Sequence, residues 1–128
     1  MPDKNAYEYA VVQVVPSVER GEYINAGVIL FCKTLRFLSA QVELDVDRLL
    51  ALAPDADVDR IRAFLASIPS VCDGAGHFDR WSQSERFHWL TSPRSTIVQI
   101  SPIHSGLSEE PAAELEHLMD VLVRRTES

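Results

Sequence analysis

Apolar and polar positions divide the chain into strand-like and helix-like segments. Residues 7–16 and 27–33 are apolar on both faces and rich in β-branched and aromatic side chains, a pattern that favours buried strands. Residues 35–44 alternate more cleanly and predict a strand with one wet face, paired antiparallel with the run before it. Residues 96–101 are a fourth strand candidate, whereas residues 102–106 are expected to be irregular.

Helical spacing of apolar residues occupies most of the remaining chain. Helix N-caps are predicted at four positions: Asp45, Asp57, Ser82 and Ser108. Glu85 completes a capping box, and Pro54 and Pro69 are expected to end the first two helices. These elements predict an α+β fold: a small, mainly antiparallel sheet of about four strands with helices packed on it as a single pair of layers. We expect one domain over residues 1–128, with a loose leader at 1–6 and a loose tail at 126–128.

Composition and charge narrow the class of protein. The chain has 128 residues, 46% of them hydrophobic and 24% charged, which is typical of a globular domain. A net charge of −7 makes nucleic-acid binding unlikely. No run is long and apolar enough for a membrane helix and no signal peptide is recognised, so we expect a cytoplasmic protein. Cys32 and Cys72 are expected to be reduced core residues.

A polar connector lies between the first two predicted strands. Arg20 can bind a carboxylate or phosphate group through its planar fork, and Asn25 can satisfy backbone groups nearby. Long connectors between buried strands commonly carry binding groups. The alternative is a solvated turn in which Arg20 pairs with Glu19 or Glu22.

The run VVQVVPSVERGEYINAGVILFCK resembles the opening signature of a bacterial family catalogued as domain of unknown function 3037. Ala26 stands where valine is usual in that signature. The stretch SQSERFHWLTSPRSTIVQISPIHSGL resembles the family's second signature, and the similarity extends over most of the chain. Because members are often encoded beside proteins with a HipA-like kinase domain, the resemblance implies such a protein as a partner.

The second signature lies in a basic part of an acidic chain. Residues 77–104 contain three arginines and three histidines against two acids. One interpretation is a site for an anion, formed by Arg20, Arg86 and Arg94 with the hydroxyl of Ser95 or Thr96. His104 would then donate a hydrogen bond or carry a proton. The other interpretation is that these arginines pair with the acidic helices and hold the layers together.

The sequence leaves two functions open. The first is a non-enzymatic interaction or accessory module, and the alternative is a small ligand-binding protein or enzyme acting on a phosphorylated or nucleotide-like molecule. The DxDxD run at 55–59 lacks the rest of a calcium loop, and the histidines and Cys72 lack zinc-site spacing. No catalytic residue, metal or cofactor is therefore predicted. The candidate residues for binding an anion or a partner are Arg20, Glu22, Asn25, Arg86, Arg94, Ser95 and His104.

Overall fold

The computed structural model describes residues 3–124. Its elements follow the order β1 (Asn5–Ser17), β2 (Glu22–Cys32), β3 (Phe37–Val42), α1 (Val46–Leu52), α2 (Val58–Cys72), a 3₁₀ helix (Gly76–Arg80), α3 (Gln83–Thr91), β4 (Val98–Ile100), β5 (His104–Ser108) and α4 (Pro111–Leu122). An antiparallel sheet with helices packed on it confirms the predicted α+β class. β1 begins at Asn5, so Asn5 and Ala6 of the expected leader at 1–6 belong to a strand. The expected tail at 126–128 lies outside the described residues.

The sheet is built around β1. One edge of β1 pairs with β2, which in turn pairs with β3, and every pairing is antiparallel. Two short strands share the other edge: β4 pairs with residues 12–14 and β5 with residues 5–9. The predicted hairpin of β2 and β3 is confirmed, and the described sheet has five strands where about four were expected.

β5 is the strand that the sequence pattern did not predict. The sequence predicts that residues 102–106 are irregular, but in the structure His104 already pairs with Tyr9. Gly106 allows this pairing, since an added Cβ atom would lie 2.5 Å from the Tyr7 ring. The Tyr7 ring of β1 therefore occupies the space that a side chain at position 106 would fill.

Both faces of the sheet are covered by helices. Val12, Val14 and Ile29 face a core formed with α1, α2 and α3. Val28 and Leu30 face a second core formed with Leu115, Leu118 and Met119 of α4. The structure thus has three layers where a single pair was expected, and this arrangement accounts for the apolar character of both faces of the first two strands.

Local capping signals set three of the four helix starts. Asp45, Asp57 and Ser82 are the N-caps of α1, α2 and α3, and Ser82 forms the predicted capping box with Glu85. The Ser82 hydrogen bonds lower the pKa of Glu85.

Two helix boundaries differ from the prediction. The N-cap of α4 is Glu110, with Pro111 in the first turn, while Ser108 ends β5 and its hydroxyl accepts a hydrogen bond from the Glu110 amide at 3.1 Å. Pro69 lies inside α2 rather than ending it. The last turn of α2 buries Val71 and Cys72. The free energy gained by this burial offsets the loss of the helical hydrogen bond that Pro69 cannot donate. No helix within residues 3–124 has the length and apolar character needed to cross a membrane.

Candidate functional site

The turn between β1 and β2 contains the first two candidate residues. Gly21 adopts a left-handed conformation with φ of 68°, which favours glycine at this position. The Arg20 Nε atom donates to a carboxylate oxygen of Glu22 in an exposed ion pair. Of the two interpretations of this connector, the structure therefore contains the salt link between neighbours.

Asn25 connects the sheet to the end of α4. Its Nδ2 atom donates to the carbonyl oxygen of Leu122 at 2.9 Å. Its Oδ1 atom is buried and has no hydrogen-bond partner among the described residues. The amide therefore holds a helix end against the sheet.

The signature glycine after Asn25 occupies a β-bulge. Val12 pairs with Gly27 and Gln13 pairs with Asn25, so Ala26 is the extra residue on β2. A Cβ atom on Gly27 would lie 2.7 Å from the carbonyl oxygen of Gln41 in β3. The glycine is thus required for the close approach of β3.

Arg86 binds the main chain at the end of α2. Its guanidinium group donates to the carbonyl oxygens of Phe78 at 2.8 Å, Cys72 at 3.3 Å and Asp79 at 3.4 Å. It also packs on Gly74, whose added Cβ would lie 2.9 Å from Arg86 Nη2. Arg86 is therefore committed to linking α2, the 3₁₀ helix and α3.

Arg94 lies beyond the other end of α3. Its Nη1 atom donates to the Trp89 carbonyl oxygen at 3.0 Å and its Nη2 to that of Leu90 at 3.5 Å. The guanidinium carbon is 3.6 Å from the centroid of the Trp89 ring, which is a cation–π contact. Although Arg94 is exposed, removal of water from part of the group lowers its pKa.

Ser95 and His104 make local contacts. The Ser95 hydroxyl oxygen accepts hydrogen bonds from the amides of Ile97 at 3.1 Å and Val98 at 3.3 Å, and so fixes the entry to β4. His104 is exposed on β5, and its ring stacks on Tyr9 with centroids 5.2 Å apart.

The seven candidate residues lie at two ends of the sheet. Along β1, β4 pairs at Val14 and β5 pairs at Tyr9, which places His104 roughly 17 Å from the start of β4. Arg86 contacts the C-terminal end of α2, whereas Arg94 lines a cleft with residues from the N-terminal half of that helix. The β1–β2 turn holds the Arg20–Glu22 pair, and the segment with Arg94 and Ser95 lies beside Pro16 of β1. Arg86 and His104 lie elsewhere in the fold.

A cleft of about 460 Å³ opens at this end of the sheet, between the start of α2 and the segment that enters β4. We call it the α2–β4 cleft. Its lining residues are Pro16, Ala53, Asp55, Ala56, Asp57, Arg60, Ile61, Phe64, Arg94, Ser95, Ile97 and Val98. Sequence reasoning selected Arg94 and Ser95 but missed Arg60 and Phe64, which have the spacing of an ordinary amphipathic helix.

Metal-ligating and thiol side chains are distributed across the described residues. Within residues 3–124, no three histidine, cysteine or acidic side chains are grouped so that they could hold a metal ion. Cys32 and Cys72 are free and buried, as expected. Burial raises the pKa of Cys72 to about 12, so its thiol is protonated and unreactive at neutral pH.

Fold and site together define a small α+β protein with a five-stranded antiparallel sheet and a cleft at one end. The family model described as "Protein of unknown function (DUF3037)" matches residues 9–123. The match covers most of the chain, so the protein belongs to this family. Searches of curated proteins and of solved structures found no significant match.

Proposed function

We propose that this protein is a non-enzymatic interaction module that binds a protein partner at the turn end of the sheet. The supporting observation is a group of exposed apolar side chains beside the β1–β2 turn. Val18 is 60% exposed, Tyr23 53% and Leu52 36%. We call these three residues, with Arg20 and Glu22, the turn-end surface.

A shallow groove gives the turn-end surface its shape. The groove has a volume of about 490 Å³ and is lined by residues 21–24 on one side and by Arg48, Ala51 and Leu52 of α1 on the other. Exposed apolar groups rimmed by charged residues are typical of protein interaction sites. Tyrosine and arginine are also enriched at protein interfaces, and the turn-end surface contains both.

The proposed partner is the HipA-like kinase-domain protein that the family resemblance implies. A partner of this class implies an interaction in the cytoplasm, in line with the localisation expected from the sequence. The net charge of −7 favours a protein partner over a nucleic acid.

Co-expression with a HipA-like kinase-domain protein encoded beside this chain tests the proposal. Size-exclusion chromatography is expected to show a complex with the wild-type protein. Tyr23→Ala should weaken that complex about tenfold or more, since truncating a central interface tyrosine commonly costs about 1.4 kcal/mol or more.

Leu107→Ala is the matched control, because Leu107 is 64% exposed on β5 at the far end of the sheet. It should bind the partner as the wild type does. Failure of the wild-type proteins to form a complex would refute the proposed partner. Equal weakening by Tyr23→Ala and Leu107→Ala would refute the proposed surface.

A further inference from the structure

The α2–β4 cleft has the size and lining of a small-molecule site. Its volume of about 460 Å³ lies in the range of pockets that hold organic ligands, roughly 300–1,000 Å³. Ile61, Phe64 and Val98 contribute apolar surface, and polar groups lie among them. A ligand for this cleft needs an apolar part and a polar part.

Arg94 supplies a positive charge in a fixed position. Two main-chain carbonyls and the Trp89 ring hold its guanidinium group, so little side-chain freedom is lost when a ligand binds. Within residues 3–124, Arg94 forms no ion pair. An anion entering the cleft would therefore meet a cation that is not in an ion pair with any carboxylate in the described part of the chain.

Arg60 and Ser95 add two donors to the same cleft. Arg60 projects from the first turns of α2 and forms no ion pair within the described residues. The Ser95 oxygen accepts two amide hydrogen bonds, which orients the hydroxyl group and leaves its hydrogen available for a ligand. Two arginines and one hydroxyl match the acceptors of a carboxylate.

Two aspartates restrict the charge of the ligand. Asp55 and Asp57 line the cleft, and Asp57 Oδ1 already accepts from the Arg60 amide at 3.1 Å. With two carboxylates present, a polyphosphate would be repelled as well as attracted. A single negative charge on an apolar body fits the charges of the cleft better.

We propose that the α2–β4 cleft binds a small organic monoanion, a carboxylate carried on an apolar group. The carboxylate lies against Arg60, Arg94 and Ser95. The apolar group packs on Ile61, Phe64 and Val98. This site is separate from the turn-end surface and does not depend on the proposed protein partner.

Binding of 4-phenylbutyrate to the full chain tests this site, with 4-phenyl-1-butanol and acetate as matched probes. The alcohol has the same ring and chain without the charge, and acetate has the charge without the apolar group. Isothermal titration calorimetry is expected to show 4-phenylbutyrate binding at least tenfold more tightly than either. Because Arg94 covers the Trp89 ring, tryptophan emission should shift during the titration.

Arg60→Gln and Arg94→Gln should each weaken 4-phenylbutyrate binding about tenfold. Arg60 is exposed and makes no side-chain bond within residues 3–124 that the fold would lose, so Arg60→Gln keeps the test valid even if Arg94→Gln unfolds. Arg62→Gln is the control, since Arg62 is exposed on the same helix and does not line the cleft. Absence of binding, equal binding of the alcohol, or unchanged binding by Arg60→Gln would each overturn the proposal.

Discussion

Arg86 and Arg94 lie at opposite ends of α3, and both donate hydrogen bonds to main-chain carbonyls. Arg86 reaches three carbonyls in two other elements, and its guanidinium packs directly on Gly74. Arg94 reaches two carbonyls of the helix it follows, and its remaining surface lines an open cleft. Arg86 is therefore structural, because its donors join separate elements. The donors of Arg94 only end its own helix, and part of its side chain is left facing the cleft.

The largest expected effect is the loss of stability on Arg86→Ala. Three carbonyl oxygens at the junction of α2, the 3₁₀ helix and α3 would lose a charged donor. We expect the free energy of unfolding to fall by roughly 3 kcal/mol, measured by urea denaturation. Arg80→Ala, at an exposed position nearby, should change it by less than about 0.5 kcal/mol. Similar values for the two variants would contradict the structural role of Arg86.

Gly74→Ala and Gly76→Ala test whether Arg86 fills the space beside Gly74. Both glycines have positive φ, 82° and 60°, so each alanine should cost about 1 kcal/mol of unfolding free energy in strain. Only at Gly74 would the new methyl group meet Arg86, and we expect a total cost of about 2 kcal/mol there. In an Arg86→Ala background the two glycine substitutions should cost the same. A difference that persists in this double-mutant cycle would show that Arg86 is not the obstacle.

Arg94→Ala should have a smaller effect on stability than Arg86→Ala. We expect the free energy of unfolding to fall by about 1 kcal/mol, through loss of one cation–π contact and two hydrogen bonds. The cost is small because water can hydrogen-bond the two carbonyl oxygens that Arg94 leaves. Tryptophan emission should shift to longer wavelength as the Trp89 ring becomes hydrated, and Arg62→Ala should leave the spectrum unchanged. A loss of stability equal to that of Arg86→Ala would remove the distinction between the two arginines.

The smallest expected effect concerns Cys72, whose carbonyl oxygen accepts from Arg86. Burial raises the pKa of its thiol to about 12, from a usual value near 9. The unfolded chain therefore releases this proton first, so the stabilisation is complete below pH 9 and is lost as the pH rises towards 12. Between pH 8 and pH 9.5 the free energy of unfolding should fall more in the wild type than in Cys72→Ala, by less than about 1 kcal/mol. Parallel pH profiles for the two proteins would contradict this assignment.

The fold was largely predictable because its strongest signals are local. Asp45, Asp57 and Ser82 begin helices by accepting hydrogen bonds from amides three residues further on, and such spacing is visible in the sequence. β5 could not be predicted in this way, since it depends on Tyr7 packing over Gly106 about a hundred residues later. Three layers could have been inferred from the two apolar faces of β1, but the number of helices on each face could not.

The candidate site was predictable only in part. Sequence patterns selected Arg86 and Arg94 equally, because both lie in the basic stretch of residues 77–104. Their different environments depend on which end of α3 meets which end of α2, and this antiparallel placement is a tertiary property. Arg60 was missed for a related reason: on a helix it reads as an ordinary solvated residue until the β4 segment is placed opposite it.

The division of one β1 edge between two short strands also affects how the protein is made. The first three strands are complete by residue 42, but the strands that cover the other edge of β1 begin at residue 98. During synthesis on the ribosome, that edge stays open while more than fifty further residues emerge, and an open edge can pair with another nascent chain. A chain that terminates before residue 98 is accordingly expected to sediment as aggregate under conditions in which the whole chain stays in the supernatant.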